Sequence, residues 1–489
     1  DCLGLGTNGQ ELRRKVLSNG VTKGVTTSGC TRDCIVDPTR CRDPHDFWRG
    51  FQLRLFNADG QVVSQVKVGK SLRSDGCLHL ESPLPETPWV GQAYELVSDF
   101  DAPILAIRWL LGLTPDQSLP PVRVRLGTTR GTNALLTRQG AATALITTQG
   151  FGDILLIGNQ ERPQLFELNI QKPTSLFSHV IEVTERISST GTVMQPLDVD
   201  HVLQQLHELR RMEIHSLAIC LLNSYSNAQH EEAIGQLAKQ VGFDEVSLSS
   251  AVAPLVKLVS RGDTTVVDAY LNPILRAYVN RLQKALGTHG DLQLLTSAGG
   301  LVNGRHFTGK DSILSGPAGG VVGFARAAQA AGFNRAIGFD MGGTSTDVSR
   351  FDGKFELEFE SQKAGVRIAS PMMSIETVAA GGGSICGFDG VKLCVGPDSA
   401  GADPGPACYG RGGPLAITDI NVFLGRIPIE HFPFPLNREV IGERLQDLCR
   451  QIAGETNHHY TPRDLAFGYL EIANANMAKA IRSVSLARG

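Results

Sequence analysis

The stretch Asp340-Met341-Gly342-Gly343-Thr344-Ser345-Thr346-Asp347 sets a doubled glycine and three successive hydroxyls between two carboxylates. That grouping suits phosphate. Glycine lacks Cβ, so Gly342 and Gly343 allow a tight bend that brings bare N–H groups close to an anion. Thr344, Ser345 and Thr346 can each donate a hydroxyl proton to phosphate oxygens. Asp340 and Asp347 would repel a phosphate directly. They read instead as the catalytic carboxylates, with Asp340 holding Mg2+ through water so that the ion bridges to the phosphate. An ordinary tight turn accounts for Gly-Gly but not for the hydroxyls and the flanking acids.

Positioning such a stretch requires two strands. Ala336-Ile337-Gly338-Phe339 runs into it and Val348-Ser349-Arg350-Phe351 runs out, so the pattern predicts a β-hairpin with the chemistry at its tip. Arg261, beside Asp263, Thr264 and Thr265, offers a bidentate fork for a carboxylate, with an internal salt bridge plus a helix cap as the equal alternative. That segment leads into a helix that Pro273 is expected to interrupt. Ser315-Gly316-Pro317-Ala318-Gly319-Gly320 opens a further helix, whose first N–H groups favour anions; close helix packing explains its small residues equally well. Gly304 to Asp311 nearly spells a phosphate loop, but Asp311 stands where Ser or Thr is needed, so the motif is rejected. Ala379 to Ser384 is a flexible glycine-rich loop, and the long Gly- and Pro-rich run from Val395 to Gly413 is expected to be ordered and functional.

Length and composition bound the rest. A chain of 489 residues implies two to four domains, each of about 100–200 residues. The net charge of -3, with no basic cluster interleaved with aromatics, argues against nucleic acid as a partner. Runs of about 18 apolar residues are absent, which argues against a membrane span, and Asp1-Cys2-Leu3 has no basic leader, so the expectation is a cytoplasmic protein whose natural start lies upstream. Cys30, Cys34 and Cys41 cluster near His45, but without a paired Cys-x-x-Cys they read as reduced, unligated thiols. Residues 1–27 pattern as strand, Asn8-Gly9 turn, strand; 28–115 as a β-rich insertion and a linking helix capped by Asp101. From Val122 strands and helices alternate, which predicts an α/β layer fold, divided here into lobes at 116–335 and 336–489.

Taken together, several separated blocks resemble the hydantoinase A and 5-oxoprolinase family. They are Gly127-Thr128-Thr129 with Thr132-Asn133-Ala134, Arg162-Pro163 with Leu165-Phe166, Ser260 to Tyr270, Ser315 to Gly320, Gly338 to Val348, and Gly396 to Tyr409. The resemblance implies a two-lobed α/β fold of the actin and sugar-kinase (ribonuclease H-like) type, closing on ATP with one phosphate hairpin from each lobe. The second hairpin falls on Asp340 to Asp347. Asp1 resembles the closing aspartate of the first, making 1–27 a remnant of that hairpin's lobe and the chain an internal segment that binds ATP weakly by itself. The implied cofactors are ATP and Mg2+, with the role of a monovalent cation left open. Arg261, Asp263, Thr128, Thr129 and Asn133 are the implied substrate side. The implied reaction is ATP-driven opening of a lactam or hydantoin, 5-oxoproline to L-glutamate foremost, in an oligomer with a hydantoinase B-like subunit or domain. N-methylhydantoinase and the nucleotide-binding subunit of a ketone carboxylase are the rival enzymes. A nucleotide-gated interaction protein is the rival of another class.

Overall fold

The computed structural model describes residues 2–6, 9–58, 60–160, 166, 168–170, 172–432 and 434–486. Two compact units are present: Asp1–Leu126 with Ile274–Gln293 and Asn303–His306, and Gly127–Pro273 with Leu294–Val302 and Phe307–Gly489.

In the first unit, Cys2–Leu5 pairs antiparallel with Glu11–Arg14; Thr7 and Asn8, in the expected turn, lie outside the described residues, as does Asp59. The β-rich expectation is met by six antiparallel strands, β1 (Thr22–Val25), β2 (Cys34–Val36), β3 (Gln52–Phe56), β4 (Val62–Leu72), β5 (Cys77–Leu80) and β6 (Ala93–Val97), in the order β1-β6-β3-β4-β5-β2. Alternation explains the core: in β3, Leu53 and Leu55 point inward and pack with Phe47, Trp48 and Tyr94, while Gln52 and Arg54 face outward. A buried Arg40 is held by Asp37 and Asp43, and Tyr94 donates its hydroxyl to Asp37. Helix α1 (Ala102–Leu111) follows; Asp101 stands at its N-cap, but its carboxylate takes Arg281 at 3.0 Å rather than capping.

The second unit is α/β. Its first layer contains α2 (Arg130–Leu136), β7 (Thr143–Thr148), α3 (Ile154–Ile157), β8 (His179–Val183), α4 (Val199–Arg211), β9 (Ser216–Cys220), α5 (Gln229–Val241) and β10 (Glu245–Leu248). The four strands form a wholly parallel sheet in the order β8-β7-β9-β10. Every residue of β7 and β9 is buried, as expected of strands covered on both faces, and Leu206, Leu209, Ile234 and Ala238 cover one of them.

Helix α6 (Leu258–Leu286) runs unbroken through Pro273, contrary to the expected interruption. A proline removes one backbone hydrogen bond and costs about 3 kcal/mol. Leu271, Leu275 and Leu282, all buried, hold the helix against that cost. Next come α7 (Ser315–Ala330) and the antiparallel sheet β11-β12-β13, built from Arg335–Met341, Thr346–Asp352 and Glu376–Val378. The hairpin β14 (Ser384–Phe388) and β15 (Leu393–Ser399) leads to α8 (Ile417–Phe423), α9 (Arg438–Thr456) and α10 (Pro462–Ser485), which share a core of Ile420, Ile441, Leu445, Leu465 and Tyr469. Thr461 caps α10, accepting from Asp464 N–H at 3.2 Å with Pro462 at the first position.

Candidate phosphate site

β11 and β12 form the predicted hairpin, with Asp340 directly opposite Asp347 and Met341 opposite Thr346. Cross-strand partners point to the same face, so the two carboxylates lie side by side, and like charges so placed repel. A cation between them removes that penalty. Asp340 is exposed, whereas Asp347 is half-buried and accepts from Thr377 Oγ1 at 2.8 Å. At the tip, Gly342 N–H donates to Ser345 C=O at 2.9 Å. Among the described residues the N–H groups of Gly343, Thr344 and Ser345 carry no partner, so they remain available to an anion.

Thr346 departs from its expected role. The pleat turns it to the face opposite Asp347, where it is fully buried and donates its hydroxyl to Ala380 C=O at 2.5 Å. The hydroxyls left for phosphate are those of Thr344, which is exposed, and Ser345, which is half-buried.

What supports the tip is a second turn. Gly382 N–H donates to Gly342 C=O at 3.0 Å, and Gly383 N–H to Gly343 C=O at 2.6 Å. A Cβ on Gly381 would lie 2.7 Å from Gly343 C=O oxygen and 2.8 Å from that of Gly342. The glycine run expected to be a flexible loop is therefore a close backbone-to-backbone brace. Behind it, Thr418 gives its N–H and its hydroxyl to Gly382 C=O at 2.7 and 2.8 Å, and Ala400 N–H meets Gly383 C=O at 2.8 Å.

The long 395–413 run is ordered by a residue the sequence reading missed. Asp419, fully buried, accepts N–H groups of Ala407 at 3.0 Å, Cys408 at 2.8 Å and Ala416 at 2.8 Å. An acid in the first turn of α8, three residues past Ala416, was the available signal.

The blocks before the hairpin meet it through α7. Gly338 lies under the Phe324 ring, 2.3 Å from where a Cβ would sit, so α7 packs on β11. Because the link 331–334 is short, helix and strand run antiparallel, and the first turn of α7 lies toward the strand end bearing Asp340. That first turn docks on the 127–129 block: Thr128 N–H donates to Ser315 Oγ at 3.1 Å, and Thr132 hydroxyl to Ile313 C=O at 2.5 Å. Thr128 is buried and its hydroxyl accepts from Arg130 N–H at 3.2 Å. Thr129 and Asn133 are both exposed, one turn apart on the start of α2.

Of the two readings of Arg261, the internal salt bridge to Asp263 is not made, because residues two apart on a helix do not face each other. Asp263 instead receives Arg367 Nε at 2.9 Å, and Arg261 is wholly buried. Lys310, in the rejected phosphate-loop look-alike, spends its ammonium on Val252 C=O at 2.5 Å. Asp1 lies outside the described residues, as do Arg162, Pro163 and Leu165. All ten cysteines are free thiols, and burial, with the Cys77 thiol alongside, pushes Cys34 up to about 12. Among the described residues no group of three or more His, Cys, Asp or Glu is arranged to hold a metal. Nor, among them, is any helix long and apolar enough to cross a membrane.

This α/β architecture is that of solved ATP-dependent enzymes and agrees with the expected two-lobed actin and sugar-kinase type. It superposes on the ATP-dependent caprolactamase of Pseudomonas jessenii with a TM-score of 0.66 at 28% identity, covering 91% of this chain and 63% of that one. On nucleotide-free acetone carboxylase the TM-score is 0.64 at 21% identity, covering 96% and 64%. Residues 261–489 match the hydantoinase/oxoprolinase family and residues 87–242 its N-terminal region. The chain belongs to the hydantoinase/oxoprolinase family. It is 40% identical to 5-oxoprolinase of Saccharomyces cerevisiae and 37% identical to that of Dictyostelium discoideum, each over 80% of this chain but 34% and 36% of the relative. With the caprolactamase alpha subunit of P. jessenii it shares 31% identity over 78% of this chain and 56% of the subunit. It thus spans about a third of the length of the 5-oxoprolinases it matches.

Proposed function

We propose that this chain is the nucleotide-handling part of a cytoplasmic enzyme that uses ATP to open a cyclic amide, 5-oxoproline to L-glutamate with ADP and phosphate. The observation that carries the reading is the Asp340–Asp347 pair beside the free N–H groups of Gly343 to Ser345. Mg2+ fits the facing carboxylates, held by Asp340 through water, and would neutralise charge on the transferring phosphoryl group. The exposed Gly-Gly turn would place the phosphates with its N–H groups and with Thr344 and Ser345. A lactam carbonyl is a poor electrophile because amide resonance stabilises it. Phosphoryl transfer to the amide oxygen ends that resonance; water then adds to the carbon, the C–N bond breaks with a proton passing to the ring nitrogen, and a second water hydrolyses the resulting acyl phosphate to carboxylate and phosphate. Thr129 and Asn133 are assigned to the acceptor side. Similarity to a caprolactamase named as an alpha subunit supports a multi-subunit assembly with a hydantoinase B-like partner.

Phosphate release by the complete protein with its partner, on adding 5-oxoproline, tests this reading. Release that depends on the lactam is expected; slow release indifferent to it would favour a nucleotide-gated interaction protein instead. Asp340→Ala should abolish turnover while the melting curve stays cooperative, and retained activity would remove the assignment.

A further inference from the structure

Along an antiparallel ladder, pairs whose N–H and C=O groups face the partner strand alternate with pairs whose groups face away from it. In the hairpin of β11 and β12 the register runs without a break from Arg335 opposite Asp352 to Met341 opposite Thr346. Gly342 N–H is bonded to Ser345 C=O at the tip, so the bonded pairs below it are Asp340 with Asp347 and Gly338 with Ser349. The N–H and C=O groups of Ile337, Phe339 and Met341 therefore point away from β12. β11 is the edge of its sheet, and no described residue pairs with that outer side.

The side chains of the same three residues are also uncovered. The pleat sets Ile337, Phe339 and Met341 on one face and Gly338, covered by Phe324 of α7, on the other. Across the ladder, Phe339 and Met341 stand beside Val348 and Thr346, both fully buried, and α10 packs against β12 and β13. Yet Ile337, Phe339 and Met341 are 44%, 44% and 40% exposed. The cover of this face stops one strand short. Edges that meet only water are usually guarded by charge, proline or a bulge. None of these stands at the three outward positions, which join an open backbone ladder to an apolar stripe.

We infer that β11 takes a further β-strand from the part of the protein that this chain does not span, bonded along Ile337 to Met341 and continuing the apolar cover over them. The relatives have room for it within one polypeptide. This chain spans 34% of the S. cerevisiae 5-oxoprolinase. Even the single solved caprolactamase chain, on which 91% of this chain superposes, is covered over only 63% of its length. That spare length lies in one chain, which favours a strand of the same polypeptide over one from a separate subunit. Such a strand would hold the hairpin from the side opposite β12, up to Met341 beside the Gly342–Gly343 turn.

Hydrogen exchange, read residue by residue in this chain and in the complete protein without its partner, tests the inference. In this chain the amides of Ile337, Phe339 and Met341 should exchange fast while those of Gly338 and Asp340 stay protected. In the complete protein all five should be protected, the first three slowing by at least about a hundredfold. Ile337→Lys should leave the melting midpoint of this chain unchanged, since the side chain reaches water, and lower that of the complete protein. Fast exchange at the three amides in the complete protein overturns the inference, as does an equal effect of Ile337→Lys on both. Protection that grows with the concentration of this chain alone would assign the edge to a second copy. Protection that appears only on adding the partner would assign it to that subunit, and either result overturns the strand proposed. If this chain does not melt cooperatively by itself, exchange at the three amides in the complete protein decides alone.

Discussion

Replacing Gly381 by alanine should damage nucleotide handling far more than one methyl group suggests. The added Cβ would meet Gly343 C=O oxygen at 2.7 Å, whereas ordinary contact begins at 3.4 Å, so the hairpin tip must retreat by about 0.7 Å (3.4 minus 2.7). The atoms met are backbone and cannot swing aside. Overpacking of this kind costs about 1–3 kcal/mol of stability. The same retreat carries the Gly343, Thr344 and Ser345 N–H groups off the phosphate, and a misplacement near 1 Å costs on the order of 100-fold in rate. Gly323→Ala provides the matched control. Gly323 is exposed on α7 and a Cβ there meets nothing within 4 Å, so the same change should stabilise by up to about 1 kcal/mol through helix propensity. Denaturant unfolding of both variants, with ATP-dependent phosphate release by the complete protein, reads the contrast. If Gly381→Ala matches Gly323→Ala in both assays, the brace between the two glycine turns is not what holds the site.

Asp419→Asn replaces a buried acceptor of three N–H groups with a side chain that can present only one acceptor oxygen. It should destabilise by about 3 kcal/mol, at about 1.5–3 kcal/mol for each charged hydrogen bond lost, and should speed hydrogen exchange across 396–413; unchanged exchange there would refute the role. Asp37 supplies a pH test. Burial alone would raise its carboxyl, but hydrogen bonds from Thr39 and Tyr94 and the Arg40 guanidinium hold it below the usual range. A carboxyl lowered in the fold stabilises above its unfolded value, about 3.9, and that stability is lost as pH falls through the folded value. Asp37→Asn should therefore flatten the acid limb of the stability curve, and an acid limb identical to the parent's would show that the carboxylate is not the group responsible.

The hairpin was legible because its evidence is local: the apolar alternation, the doubled glycine and the acids are contiguous, and strand register then places Asp340 opposite Asp347. The α/β order and the cap of α10 are local in the same way. Asp419 and Thr418 were missed because their partners are distant in sequence, Ala407 and Cys408 on the Gly/Pro loop for Asp419 and Gly382 for Thr418, and an aspartate in a helical first turn has an ordinary explanation of its own. Thr346 was misjudged for a different reason. A run of three hydroxyls looks equivalent in one dimension, but the pleat alternates their directions and sends Thr346 into the interior.

The amino-acid order by itself settled the glycine bend, the acids that flank it and the layer class that carries it, since each follows from spacing within one element. Tertiary structure decided which glycines brace the bend and which hydroxyls are already spent. It also decided that Arg261 is wholly buried and gives Nη2 to Leu221 C=O rather than pairing with Asp263, which takes Arg367. Those outcomes depend on which backbone groups meet across the fold, and buried polar groups take whichever partner that meeting supplies.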